Sequence, residues 1–248
     1  MRIPVLLTPL LALTAAPATA AEPFTFDLTE MHEVAWPFRS RIEWRGDSVR
    51  LMLKNGSVVT IEDEKQCENL DRNGQYRASD HERCRTHDII GYSDEVGFAL
   101  LSVRHDEGNR WLLISLTDGS RADIPGLPTF SPDRDWFITA PPDYSDALKF
   151  KGYEIWRIEN GRAIGPEIRR EDNEYGFIYR VLNFADSETA ELHAVLDHEA
   201  RFILDSDAHS EQIARQKMKA KLTISRRGGW FDVVASPSDK ILIAPPPR

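Results

Sequence analysis

The chain has 248 residues, with 31 basic against 40 acidic side chains for a net charge of −9, and 41% of its residues are apolar. That length suits one all-β domain, or two small ones, with an ample core, and the recurrence of apolar residues throughout excludes a long disordered stretch. The acidic balance excludes general nucleic-acid binding, which needs cations facing phosphates.

Residues 1–20 have the three parts of a secretory signal. Arg2 supplies the positive start, Ile3 to Ala15 an apolar run, and Ala18-Thr19-Ala20 the small-x-small cleavage site. A bilayer-spanning helix needs about 20 apolar residues, and Pro17 interrupts this run. No Cys follows it, so a lipoprotein anchor is not indicated. The expectation is cleavage after Ala20, one mature domain over 21–248 in the periplasm or the medium, and no later transmembrane segment.

Short β runs broken by turn residues follow. Arg50 to Lys54 meets Asn55-Gly56, and Ser57 to Ile61 leaves. Asn-Gly between two such runs predicts a hairpin whose two turn residues both take positive φ. Leu113 to Leu116 with Asp118-Gly119, and Ile155 to Ile158 with Asn160-Gly161, repeat the pattern. Further hairpins are expected over Leu192 to Leu204, turning near Asp197-His198-Glu199, and over Leu222 to Val234, turning at Gly228-Gly229. Between the first two hairpins stand the only cysteines, Cys67 and Cys84, around a polar, turn-rich stretch. In an oxidising compartment they read as a disulfide, worth about 3 kcal/mol for a loop of this size. His81, Cys84 and His87, with Cys67 upstream, could instead hold zinc, but the paired Cys-x-x-Cys form is missing and oxidation removes two ligands, so no metal site is assigned.

Two hairpins belong to longer self-similar units. Tyr92 to Leu100 matches Phe130 to Ile138 at an offset of 38 residues, each with an aromatic-Ser pair, a polar turn and a large apolar run. Phe130-Ser131-Pro132-Asp133 followed by an apolar strand resembles TolB-like and WD-repeat propeller blades over about residues 88–165. In those families Ser-Pro-Asp-Gly turns between the first two strands of a blade; here Arg134 replaces the Gly. The resemblance implies an all-β, propeller-like repeat of antiparallel hairpins with about five blades, and no catalytic residues. A β-sandwich shares the alternation and is the alternative. Toward the C-terminus, Asp207 could cap a helix through Met218, but Met218, Ala220, Leu222 and Ile224 alternate with polar neighbours and favour a strand from about Gln216. Pro245 to Arg248 reads as a short extended tail.

On that strand Arg215, Lys217, Lys219 and Lys221 share one face. Residues 211–227 hold six basic groups against one acidic. The stripe is either a contact for an acidic protein or an anionic envelope component, or a solvated face answered by acids such as Glu62-Asp63-Glu64. His193 and His198 lack metal-binding spacing and read as ordinary hairpin residues. No nucleophile elbow and no phosphate-cradling Gly-rich loop is present, so no catalytic residue and no cofactor is assigned. Asp94, Asp133, Asp143 and Glu154 read as turn acids rather than a catalytic pair. The six tryptophans are expected chiefly in packing. The sum points to an exported, non-enzymatic binding protein, such as a periplasmic inhibitor or immunity protein. The alternative is a glycan- or envelope-directed hydrolase using carboxylates at a propeller mouth.

Overall fold

The computed structural model describes residues 22–26, 40–45, 47–63, 86–105, 108–141, 152–171, 177–196 and 220–237. The expected signal segment, the stretch holding Cys67 and Cys84 and the stretch carrying the candidate helix lie outside them. The described residues form strands and turns only, so the all-β expectation holds, and no helix among them is long and apolar enough to cross a membrane.

Strand β1 (Phe24–Thr25) precedes four antiparallel sheets that follow one another along the chain. The first is β2 (Ile42–Trp44), β3 (Ser48–Met52) and β4 (Val58–Glu62). The second is β5 (Thr86–Ser93), β6 (Phe98–His105), β7 (Gly108–Ser115) and β8 (Arg121–Ile124). The third is β9 (Leu127–Phe130), β10 (Trp136–Ala140), β11 (Gly152–Glu159) and β12 (Arg162–Glu171), with β1 added beside β9. The fourth is β13 (Phe177–Phe184), β14 (Thr189–Leu196), β15 (Ala220–Arg227) and β16 (Trp230–Pro237). Within each sheet, strands adjacent in sequence pair antiparallel, most of them across short turns, with longer connections between β10 and β11 and between β14 and β15.

The sheets pack on one another in chain order. Ile42, Leu51 and Ile61 of the first meet Ile89, Tyr92, Leu101 and Ile114 of the second. Phe98, Leu100 and Leu113 of the second meet Phe130, Phe137 and Trp156 of the third. Trp136, Ile138 and Ile155 of the third meet Phe184, Leu192 and Ile224 of the fourth. The second and third sheets are therefore buried on both faces. This is why consecutive residues of β10 and β11 are buried, Thr139 and Glu154 included, while the strands of the first sheet alternate.

The repeat found in the sequence has a structural meaning. The aromatic before the serine, Tyr92 or Phe130, faces the preceding sheet, and the aromatic after the turn, Phe98 or Trp136, faces the following one. The serines serve the turn: the Val96 amide donates to Ser93 Oγ and the Trp136 amide to Ser131 Oγ, both at 3.3 Å. Phe184 and the turn 185–188 occupy the same place in the fourth sheet, although Ala185 stands where the other two units carry serine. Arg134 takes φ 64°, the left-handed conformation that the missing glycine would adopt.

The hairpins expected at Asn55-Gly56, Asp118-Gly119, Asn160-Gly161 and Gly228-Gly229 all form. Only the last two have positive φ at both turn residues. At the first two the glycine alone is left-handed, because the loops are longer and the Asn or Asp side chain does the turning instead. Asn55 Oδ1 accepts the Ser57 amide at 2.9 Å, and Asp118 Oδ1 accepts that of Ser120 at 3.1 Å. The turn expected near Asp197-His198-Glu199 lies outside the described residues. The strand leading to it, β14, pairs with Ala220–Arg227 rather than with the residues just after that turn.

These tips touch across sheets. Ser115 Oγ donates to Gly161 O at 2.6 Å, Arg162 pairs with Asp118, and a Cβ on Gly161 would collide with Thr117 Oγ1. A Cβ on Gly56 would meet nothing. Both glycines have positive φ, so alanine at either carries backbone strain of about 1–2 kcal/mol. Gly56→Ala is expected to cost only that, and Gly161→Ala roughly 1–3 kcal/mol more from overpacking. Urea unfolding of the two variants side by side checks the difference.

Candidate functional site

The fourth sheet turns Leu222, Ile224, Phe231 and Val233 toward the third. Register then puts Lys221, Thr223, Ser225 and Arg227 of β15 on the other face, directly opposite Ser236, Val234, Asp232 and Trp230 of β16. This outer face carries two of the large exposed apolar side chains, Trp230 at 80% and Val234 at 60%. Trp230 stands at the hairpin end, opposite the exposed Arg227. The tight Gly228-Gly229 turn fixes that juxtaposition by pairing Arg227 with Trp230 across two residues.

Of the predicted basic stripe, Lys221 is described and lies on this face; Arg215, Lys217 and Lys219 lie outside the described residues. Lys221 forms an ion pair with Glu191, its diagonal neighbour on β14. Its acidic partner is thus a same-sheet residue rather than the Glu62 to Glu64 run. Arg180, His193 and Lys221 form one row across β13, β14 and β15. His193 is buried within that row, and His198 lies outside the described residues. Reading the six tryptophans as chiefly packing residues does not say which one is exposed. Its signal was present: Trp230 directly follows a Gly-Gly turn, on the strand parity opposite to Phe231 and Val233.

Cys67, Cys84 and His81 lie outside the described residues. His87 accounts for the base of their loop. Its backbone amide and its Nδ1 lie 2.8 and 3.0 Å from Asp63 Oδ1, which ties the end of the first sheet to the start of the second.

The candidate acids separate by location. Asp94 and Asp133 sit in the β5–β6 and β9–β10 turns, where Asp94 accepts Arg41 at 2.8 Å and Asp133 Oδ1 lies 2.6 Å from Ser131 Oγ. Asp143 lies outside the described residues. Glu154 is toward the other end of the strands, opposite Thr139, and only 3% exposed. The structure therefore does not bring it together with Asp94 or Asp133. The Trp156 indole donates to Glu154 Oε2 at 2.9 Å, and Arg169 approaches Oε1 at 3.4 Å. Burial pushes the Glu154 carboxyl above the ordinary Glu range, against the opposing effects of the Trp156 hydrogen bond, Arg169 and Arg110; Asp123 adds to the rise. Reading Glu154 as a turn acid is corrected here: it is a buried acid inside β11, because the third sheet is covered on both faces.

No family model, curated protein or solved structure matches this chain.

The raised carboxyl has a pH signature. The folded state holds the Glu154 proton more tightly than the unfolded chain, so the group's contribution is fully present below the unfolded Glu value of 4.5 and is lost as pH rises through the folded value. Glu154→Gln keeps an acceptor for the Trp156 indole and cannot ionise. Its stability relative to the native chain is expected to rise from about pH 4 to about pH 8. Urea unfolding at both pH values checks the sign.

Proposed function

We propose that this chain is an exported, non-enzymatic binding protein on a β-propeller-like scaffold, and that it meets its partner through the outer face of the fourth sheet. Four consecutive antiparallel meanders packed in chain order support the propeller-like reading, since each behaves as a blade does toward its neighbours. The observation that carries the binding reading is Trp230, 80% exposed beside Arg227 and on the same face as Val234. Trp and Arg dominate binding hot spots, and a large apolar side chain left in water beside a cation marks a contact surface. Lys217 and Lys219 precede β15 in the sequence and add positive charge suited to an acidic protein surface or an anionic envelope component. An inhibitor or immunity protein of the periplasm is one such case.

A second reading rests on Glu154. A general acid needs a carboxyl raised by burial, and this one is. Glycan hydrolysis needs a second carboxylate, for which Asp123, an acid whose charge acts on Glu154, is the candidate. If so, Glu154→Gln and Asp123→Asn each abolish release of reducing ends from envelope glycans; native protein inactive on a glycan panel removes this reading.

Three results are expected from the leading reading. Protein recovered from the periplasm or medium begins at Ala21, as N-terminal sequencing checks. Retention on an immobilised polyanion such as dextran sulfate falls with salt. It drops roughly tenfold when Lys217, Lys219 and Lys221 are reversed to Glu, because cationic side chains steer and hold polyanions. Unchanged retention after those reversals overturns the role of the stripe. Trp230→Ala is expected to weaken partner binding at high salt as well as low.

A further inference from the structure

We propose that the edge of β9 and the aromatic pocket around Phe130 form an acceptor groove for an extended aromatic-X-aromatic segment of a partner protein, filled in cis by the chain's own Phe24-Thr25-Phe26. This goes beyond the binding face of the fourth sheet and does not depend on it. The chain's own arm shows what the groove takes. Phe24 pairs with Phe130 and Thr25 with Thr129 along the edge of β9, so the main chain is held without regard to sequence. Alternation then sends Phe24 and Phe26 to one side and leaves Thr25 exposed. The two rings lie 5.4 Å apart and each is 5.9 Å from the Phe130 ring, with edge-on geometries. Phe26 is buried in the core between the second and third sheets.

Two further residues complete the groove. Gly91 makes room for the second ring, since a Cβ there would stand 2.5 Å from Phe26 Cδ1. Arg134 clamps the entrance: its Nη1 donates to Glu22 O at 3.1 Å and its guanidinium lies 5.5 Å from the Phe24 ring centre. The groove thus reads backbone, two aromatic side chains and one carbonyl, which is how strand addition obtains affinity and specificity. The arm is also the least anchored strand of its sheet. Its ladder is two residues long, against four between β9 and β10. A competing strand therefore has little main-chain pairing to displace, although tethering gives the arm a high effective concentration.

The test uses full-length protein and the synthetic peptide Glu-Pro-Phe-Thr-Phe, residues 22–26. Phe24→Ser with Phe26→Ser empties the groove in cis. The emptied variant is expected to bind the peptide saturably, with a rise in Tm and at least about tenfold tighter than the native chain, whose own arm competes. Adding Gly91→Ala to the emptied variant is expected to abolish binding. Arg134→Gly, which accepts the left-handed backbone without strain, is expected to weaken it. A folded emptied variant that does not bind the peptide, or binding indifferent to Gly91→Ala, overturns the proposal. Should the emptied variant fail to fold, hydrogen exchange on the native chain decides: amides of Phe24 to Phe26 opening well before the β9–β10 ladder support a detachable arm, and their opening only with global unfolding overturns it.

Discussion

The rest of the structure depends on one packing constraint: the second and third sheets are each covered on both faces. An antiparallel sheet ordinarily keeps one wet face and announces itself by alternation. Here Phe98, Leu100 and Leu113 point one way and Ala99, Leu101 and Ile114 the other, and all are buried. The central strands of these two sheets, β6, β7, β10 and β11, have to satisfy two neighbours at once, while β8 and β12 at the edges keep exposed positions. A one-residue slip would not expose an apolar face to water; it would exchange the residues meant for one neighbour with those meant for the other. Register must therefore be held by something other than a polar-apolar contrast, and size supplies part of it. Small Ala99 and large Phe98 cannot trade places between a core of aliphatics and one built around Phe130, Phe137 and Trp156.

The turns supply the other part. At the end where β5–β6, β9–β10 and β13–β14 turn, side chains reach from one sheet to the next. Arg41 reaches Asp94, Arg134 reaches Glu95, Arg226 reaches Asp135, and the Trp136 indole donates to Ser187 O. Each exposed ion pair contributes little to stability alone. Their value is positional, since each is made only when adjacent sheets sit at the right height. Arg134 shows how far this goes. It occupies a left-handed position where glycine costs nothing, and a non-glycine residue there costs about 1–2 kcal/mol. Glycine could not bond Ser131 O, Glu22 O and Glu95 together, as this side chain does. The departure from the blade pattern noticed in the sequence is thus the place where three segments are fastened.

What could be read from the sequence followed from local chemistry. Turn residues between apolar runs located four hairpins, and a shared aromatic-Ser pattern found two equivalent sheets. What could not be read required knowing the neighbours. Phe24 and Thr25 are too few to show a period, and they form a strand only because β9 offers an edge and Phe130 a pocket. The fourth sheet's first turn went unmatched because Ala185 cannot bond the turn as Ser93 and Ser131 do. Glu154 reads as a turn acid in the sequence, since nothing in Tyr153-Glu154-Ile155-Trp156 says that both faces of β11 are covered. Trp230 was hidden by a sound generalisation, because Trp111, Trp136 and Trp156 are indeed core residues.

The same packing constraint limits where function can reside. With the faces of the second and third sheets consumed by packing, the described residues offer a partner the outer faces of the first and fourth sheets, the strand edges and the connections. On the first sheet the charged groups are answered from within, since Glu43 binds both Arg45 and Arg50 and the Arg121 side chain bonds Thr60 O, while Met52 and its partner Val58 stay exposed. On the fourth sheet Lys221 is answered by Glu191, but the Trp230–Arg227 end is open. The edge of β9 that β1 covers would be open as well without Phe24 and Phe26. A scaffold of this kind spends the faces of its middle sheets on itself, so recognition is pushed to the two terminal faces and the strand edges. There a single exposed aromatic, or a displaceable one, counts for more than it would on a sheet with a free side.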